Sequence, residues 1–270
     1  MNYDDYYNLC KKAYHKTIDQ SVVSDFYSNP VRLLPIESFG EEYMNLIDVL
    51  SSKVKDDFDG NIDCDNDNIM MKHNNIWKFH EELLNISDII VPYLEENRYG
   101  CHLYVDKIYI YRTLKLDNRV SSYEWHYDNN PDEVVKTLIY LNDVTEENSP
   151  YEYLQTPTGT GILGQCTRKG TQTWYPAPNN SRVGHLIEGL TKQGYTPKKV
   201  TGKKATAISF INNSIHRANP ILEGYRDVIN IRVKPTLQKA PVYTNPMFTT
   251  SYEITGVVNQ NPAPAWTIKH

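Results

Sequence analysis

Residues 123–142 read YEWHYDNNPDEVVKTLIYLN, in which two runs rich in aromatic and β-branched residues, 123–128 and 135–142, flank a turn-forming segment. Runs of this composition bounded by turn residues predict β-strands. Three more are found at 101–116, 204–212 and 226–234. None is followed by the helix that a parallel βαβ unit requires, so we expect an antiparallel sandwich or barrel.

The N-terminal part of the chain has a different pattern. Apolar residues recur at helical spacing over 36–54 and 75–97, and these stretches predict two amphipathic helices, the second bent or broken before Pro92. The expected fold class is therefore mainly β with N-terminal helices.

We expect a single domain over residues 1–270. Its parts are a helical N-terminal support (1–100), a β core (101–235) and a C-terminal tail (236–270). Within the core, residues 155–203 are rich in Gly, Pro, Thr and Asn and interrupt the spacing of the strands. Such a long excursion predicts a functional loop or lid.

Composition narrows the class of protein. The chain has 270 residues, 40% of them hydrophobic, and no apolar run long enough to span a bilayer. Its first residues are too polar and acidic for a signal peptide, so we expect a cytoplasmic protein. The four cysteines include no C-x-x-C pair and predict reduced thiols rather than disulfides or a zinc site. A net charge of −5 argues against nonspecific nucleic-acid binding.

Charge is unevenly distributed along the chain. Residues 155–204 contain eight basic side chains and one acidic side chain, a local net charge of +7. Two interpretations remain open: a solvated basic surface, or a segment that attracts an anionic small-molecule substrate.

His126 and Asp128 form a His-x-Asp pair within a predicted strand. Side chains at i and i+2 of a strand point to the same face, so the two can converge on one ion. A similar pair, His80 and Glu82, lies in a predicted helix, where residues two apart project in nearly opposite directions. The strand context therefore favours the first pair.

A third ligand and an anion-binding group follow in the stretch FINNSIHRANPILEGYRDVINIRV. His216 lies between two predicted strands and would complete a facial triad of two histidines and one carboxylate, the arrangement that binds Fe(II) with open positions. Arg226 begins the next strand, and its planar fork suits a carboxylate in a fixed orientation.

The segments WHYDNN, VKTLIYLNDVTEENSPYEYL and SIHRANPILEGYR together resemble the Fe(II)/2-oxoglutarate-dependent oxygenases of the phytanoyl-CoA dioxygenase-like family, over residues 100–235. The resemblance implies a double-stranded β-helix (jelly-roll, cupin-like) core. It also implies that His126, Asp128 and His216 hold Fe(II) and that Arg226 binds the distal carboxylate of 2-oxoglutarate.

The family's chemistry consumes 2-oxoglutarate and O2 and releases succinate and CO2. Related halogenases replace the carboxylate ligand with a small residue, so the intact Asp128 implies a hydroxylase. The substrate would be a small or carrier-linked organic molecule.

Several weaker candidates accompany this set. Thr113 and Lys115 resemble a family strand that lies under the co-substrate, although either could face solvent. Asn129 could bind substrate or shape the turn after the metal pair. Trp125 and Tyr127 alternate away from the metal face and are predicted to be packing residues.

The chain departs from the family where YEYLQTPTGTGILG replaces the usual Pro-Gly-Ser-His continuation, so the family's substrate pocket cannot be transferred. Two alternatives stay open: a 2-oxoglutarate oxygenase that acts on a peptidyl side chain, and a cupin isomerase or binding protein whose metal does no redox work. Arg226 argues against the cupin, because a simple metal-binding cupin does not need an arginine ten residues after the distal histidine.

Overall fold

The computed structural model describes residues 3–19, 21–22, 25–67, 69–115, 121–128, 130–164 and 181–239. A seven-stranded antiparallel sheet, the major sheet, has the strand order β1-β8-β5-β10-β4-β3-β2. Its strands are β1 (Val31–Leu33), β2 (Cys64–Asp67), β3 (Met70–His73), β4 (His102–Thr113), β5 (Val135–Tyr140), β8 (Ala207–Ile211) and β10 (Arg226–Thr236).

A three-stranded antiparallel sheet, the minor sheet, has the order β7-β6-β9. Its strands are β6 (Tyr151–Gln155), β7 (Thr196–Val200) and β9 (His216–Ala218). The two sheets enclose a cavity lined by residues of β3, β4, β5, β8 and β10 on one side and of β6 and β9 on the other. This arrangement confirms the predicted jelly-roll core.

Helices cover the outer face of the major sheet. They are α1 (Tyr3–Ala13), α2 (Gly40–Gly60) and α3 (His80–Leu94), while α4 (Gly184–Lys192) packs against the minor sheet. Apolar side chains of α2 and α3 share one buried cluster with alternate residues of β4 and β10. Because successive strand residues face opposite sides, residues from the other face of these strands line the cavity, namely Tyr109, Tyr111 and Thr113 of β4 and Arg226 and Asn230 of β10.

Both predicted N-terminal helices are present, but α3 does not break before Pro92. It continues through Pro92 to Leu94 and passes directly into a π-helical turn, Glu95–Tyr99. Val91 and Leu94 are buried in the main core, and this packing keeps the backbone helical past the proline. None of the helices among the described residues is both long and apolar enough to cross a bilayer.

The N-terminal region is less purely helical than predicted. It also contributes β1, β2 and β3, which occupy the two edges of the major sheet. These strands are only three or four residues long, too short for a periodic signal in the sequence.

Two predicted segments of the β core, 123–128 and 155–203, differ in form from the prediction. Residues 123–128 do not form a regular strand: a 3-10 turn, Ser121–Tyr123, is followed by an irregular segment with isolated bridges at His126. The excursion 155–203 contains α4 and β7, so part of it belongs to the minor sheet. Residues 165–180 and the tail after residue 239 lie outside the described residues, and the lid remains a prediction.

Candidate metal centre and adjoining cavity

The backbone joins the two predicted histidine ligands directly. His126 and His216 exchange a pair of backbone hydrogen bonds, 3.0 Å from the His126 N–H and 2.8 Å from the His216 N–H. The N–H of Asp128 donates to the carbonyl of Asn212 at 3.0 Å, just beyond the end of β8. The segment after Tyr123 is thus hydrogen-bonded to the first residue of β9 and to the residue that follows β8, and this brings residues distant in sequence together.

Side chains of His126, Asp128 and His216 converge, with one potential ligand atom from each lying within 4.8 Å of the others. The distance from His126 Nε2 to Asp128 Oδ1 is 3.8 Å, too long for a hydrogen bond. The imidazole centroids are 4.4 Å apart. The spacing leaves room for one ion between the three groups.

Hydrogen bonds to the backbone orient both imidazoles. His126 Nδ1 lies 2.8 Å from the carbonyl of Glu124, and His216 Nδ1 lies 2.6 Å from the carbonyl of Ser214. A carbonyl can only accept, so each Nδ1 carries the proton and each Nε2 keeps its lone pair. Metal-binding histidines are typically fixed in this way by a partner on the other nitrogen. The donor set fits a divalent transition metal.

Burial and neighbouring charges together set the protonation states that a metal requires. Burial lowers the pKa of His126 to about 3, and the neighbouring His216 acts in the same direction. Burial also lowers the pKa of His216. For Asp128, burial acts to raise the pKa, but neighbouring groups, of which the Lys136 ammonium has the largest effect, outweigh it and hold the pKa well below its ordinary value. At neutral pH the site has two neutral imidazoles and one carboxylate, the forms that bind metal.

Arg226 lies in the same cavity, which has a volume of about 240 Å³. Its side chain is buried, and its Nε and Nη2 donate to Thr113 Oγ1 at 3.2 and 3.0 Å. Its Nη1 donates to the carbonyl of Ser149. These partners are neutral and leave the guanidinium charge uncompensated by them, so Arg226 can attract an anion in the cavity.

Of the remaining candidate residues that the structure describes, some line the cavity and others lie outside it. Thr113 lines the cavity beside Arg226. The structure does not bring Lys115 to the cavity: it is exposed, and its Nζ is 3.4 Å from the carbonyl of Leu222. Asn129 lies outside the described residues. Trp125 and Tyr127 pack against the outer face of the minor sheet, which confirms them as packing residues.

Sequence reasoning missed Lys136, whose Nζ lies 2.5 Å from Asp128 Oδ2. It also missed Tyr111 and Asn230, which line the cavity from β4 and β10. The signal for all three was strand alternation: Lys136, Tyr111 and Asn230 occupy the cavity-facing register of their strands, opposite the residues that join the main core.

No family model matches the chain. Among curated proteins, it is similar to "L-proline trans-4-hydroxylase" of Streptomyces griseoviridis, with 26% identity over 144 residues, 50% of this chain and 53% of that protein. The chain thus spans about half the length of this curated relative.

Solved structures resemble the whole fold. The epimerase SnoN, in complex with Fe3+, alpha ketoglutarate and nogalamycin RO, has a TM-score of 0.55 at 10% identity, covering 80% of this chain and 83% of SnoN. HygX of Streptomyces hygroscopicus, with nickel, 2-oxoglutarate and hygromycin B bound, has a TM-score of 0.51 at 13% identity, covering 87% and 96%. EctD of S. alaskensis, with bound Fe, has a TM-score of 0.51 at 14% identity, covering 87% and 86%. The chain therefore has the jelly-roll fold of iron- and 2-oxoglutarate-dependent oxygenases.

Proposed function

We propose that this protein is a non-haem Fe(II)/2-oxoglutarate-dependent dioxygenase that hydroxylates a small or carrier-linked organic substrate. The reaction would convert R–H, O2 and 2-oxoglutarate into R–OH, succinate and CO2. One observation carries the proposal: the imidazoles of His126 and His216, the carboxylate of Asp128 and the buried guanidinium of Arg226 line a single cavity.

In this proposal His126, Asp128 and His216 hold Fe(II), and Arg226 binds the distal carboxylate of 2-oxoglutarate. The bound iron, with 2-oxoglutarate and O2, supplies an oxidant strong enough to attack a C–H bond. Thr113 accepts two hydrogen bonds from Arg226 and so fixes the plane of the guanidinium. The backbone carbonyls of Glu124 and Ser214 keep both Nε2 atoms unprotonated.

Charge inside the cavity gives limited support for an anionic substrate. Its basic side chains are Lys72, Lys136, Arg217 and Arg226. However, Lys136 is paired with Asp128 and Arg217 with Glu152, and Arg226 is assigned to 2-oxoglutarate. The basic segment 155–204 gives weaker support, because four of its lysines form surface ion pairs with carboxylates. These four are Lys192, Lys199, Lys203 and Lys204.

Two alternatives are less well supported. A cavity of about 240 Å³ between two sheets suits a small molecule better than a peptide, which needs an open groove. A metal-binding cupin without redox chemistry gives no role to the buried Arg226. Since SnoN is described as an epimerase, product analysis must separate oxygen insertion from inversion of a C–H centre.

The deciding experiment is an anaerobic titration of Fe(II) and 2-oxoglutarate into the apo-protein, monitored through the weak visible charge-transfer band of the chelate. The proposal requires this band. If iron binds but no band develops, the co-substrate assignment is wrong. Once a substrate is found, 18O2 labelling decides between hydroxylation, which adds one labelled oxygen, and epimerisation, which adds none.

A further inference from the structure

The two oxygens of the Asp128 carboxylate have different surroundings. Oδ2 lies 2.5 Å from Lys136 Nζ, whereas Oδ1 lies 3.8 Å from His126 Nε2. Both side chains of the ion pair are 20% exposed, so water screens the contact only in part. One oxygen is thus engaged by an ammonium group, and the other faces the imidazoles.

Lys136 is carried by a central strand of the major sheet. It lies on β5, which is hydrogen-bonded to β8 on one side and to β10 on the other. Asp128, in contrast, lies in an irregular segment, where its backbone N–H is anchored to the carbonyl of Asn212. Since rotation about the last side-chain bond of Asp is only loosely restricted, the orientation of the carboxylate depends on its partners.

We propose that Lys136 is a positioning residue: by holding Oδ2, it makes Asp128 present a single oxygen, Oδ1, to the metal. This inference rests on the proposed function. A carboxylate that turned both oxygens to the metal would occupy one of the positions that 2-oxoglutarate and O2 need. Lys136 therefore keeps the facial triad open, at the cost of placing a positive charge beside a cation.

A second ion pair in the chain provides a matched control. Lys78 Nζ lies 2.5 Å from Asp57 Oδ2, and the Asp57 side chain is only 9% exposed. Neither residue lines the cavity, so Lys78→Met removes a lysine–carboxylate contact of the same length without touching the metal centre.

The test uses full-length wild type, Lys136→Met, Lys136→Arg and Lys78→Met. Two readouts are needed. The first is the visible absorption spectrum of the Co(II)-loaded protein without 2-oxoglutarate, which reports coordination directly. The second is the affinity for 2-oxoglutarate in an anaerobic titration of the Fe(II) protein. Circular dichroism checks folding, and Lys136→Gln decides if Lys136→Met does not fold.

We expect Lys136→Met to alter the Co(II) spectrum and to weaken 2-oxoglutarate binding at least about tenfold, the range typical of outer-shell partners. Lys136→Arg, which restores a cationic donor, and Lys78→Met should both resemble wild type. If the Co(II) spectrum of Lys136→Met equals that of wild type, the inference is wrong, even if 2-oxoglutarate binds more weakly, because Lys136 would then contact the co-substrate. A wild type without the Fe(II)–2-oxoglutarate band would instead reject the proposed function.

Discussion

Two histidine–aspartate pairs with buried imidazoles, His73–Asp57 and His126–Asp128, line or adjoin the same cavity, and of these two only His126–Asp128 is open to a metal. His73 Nε2 is hydrogen-bonded to Asp57 Oδ2 at 2.8 Å, and its Nδ1 accepts from the N–H of Asn75 at 3.2 Å. His126 Nε2 is 3.8 Å from Asp128 Oδ1, and its Nδ1 is bound to a backbone carbonyl. The residue types are the same and both imidazoles are buried, although the Asp128 side chain is 20% exposed and that of Asp57 only 9%.

The difference lies in which nitrogen carries the proton. In His73 the Nε2 proton is donated to the carboxylate and Nδ1 is already an acceptor, so no lone pair remains for a metal. In His126 the Nδ1 proton is donated to the backbone, and Nε2 faces Asp128 and His216. A metal site therefore depends on what satisfies the second nitrogen of each imidazole.

The largest effect should come from Asp128→Ala. Removing a proposed metal ligand should weaken Fe(II) binding by more than about 100-fold, beyond the 10–100-fold typical of outer-shell changes. The His73–Asp57 pair, in which no lone pair is left for a metal, is the closed pair. Asp57→Asn, the matching change in this pair, should leave Fe(II) affinity unchanged. Anaerobic metal titration measures both, and equal losses in the two variants would remove the distinction between the pairs.

Arg226→Met tests the other end of the open site. Truncating a buried charged partner typically costs about 2 kcal/mol or more, so the affinity for 2-oxoglutarate should fall roughly 30-fold. Fe(II) binding in the absence of 2-oxoglutarate should not change, because Arg226 is not one of the three convergent ligands. Isothermal titration with and without 2-oxoglutarate separates the two quantities; a parallel loss of iron would point to a collapsed cavity instead.

The closed pair should matter for stability rather than for binding. Asp57 accepts from His73 and forms an ion pair with Lys78. Hydrogen bonds to charged groups contribute about 1.5 kcal/mol or more, and Asp57→Asn should lower the free energy of unfolding by about that amount. Urea denaturation of the apo-protein gives this value. An unchanged denaturation midpoint would mean that the contact does not contribute to stability.

Acid should affect both pairs in the same direction, because both imidazoles are buried. Burial lowers the pKa of His73 and lowers that of His126 to about 3. When the folded-state pKa lies below the unfolded value, the unfolded chain binds more protons, so stability is complete above about pH 6.5 and declines below it. For each of these histidines, the free energy of unfolding of the apo-protein should fall by about 1 kcal/mol per pH unit, as measured by urea unfolding. His73→Gln and His126→Gln should each reduce this dependence; a pH-independent wild type would contradict it.

Much of the site could be predicted because the signal for each candidate residue is local in sequence, even though the residues themselves lie far apart in the chain. His126 and Asp128 are two residues apart, and an extended backbone places them on one side even without a regular strand. Arg226 and His216 lie at strand ends that the composition of the chain reveals. Lys115 shows the limit of this reasoning: it continues the alternation of β4, but the strand ends at Thr113 and the side chain turns to solvent.

The sequence by itself determined most of the longer helices and strands, because helical and strand periodicity are set by backbone geometry, and it identified the candidate metal ligands. Only the tertiary structure decided which histidine–aspartate pair is open, that Lys136 reaches Asp128, and that three short strands from the N-terminal region complete the major sheet. These features depend on hydrogen bonds and contacts between residues far apart in the chain. A local pattern contains no information about partners that folding supplies from elsewhere.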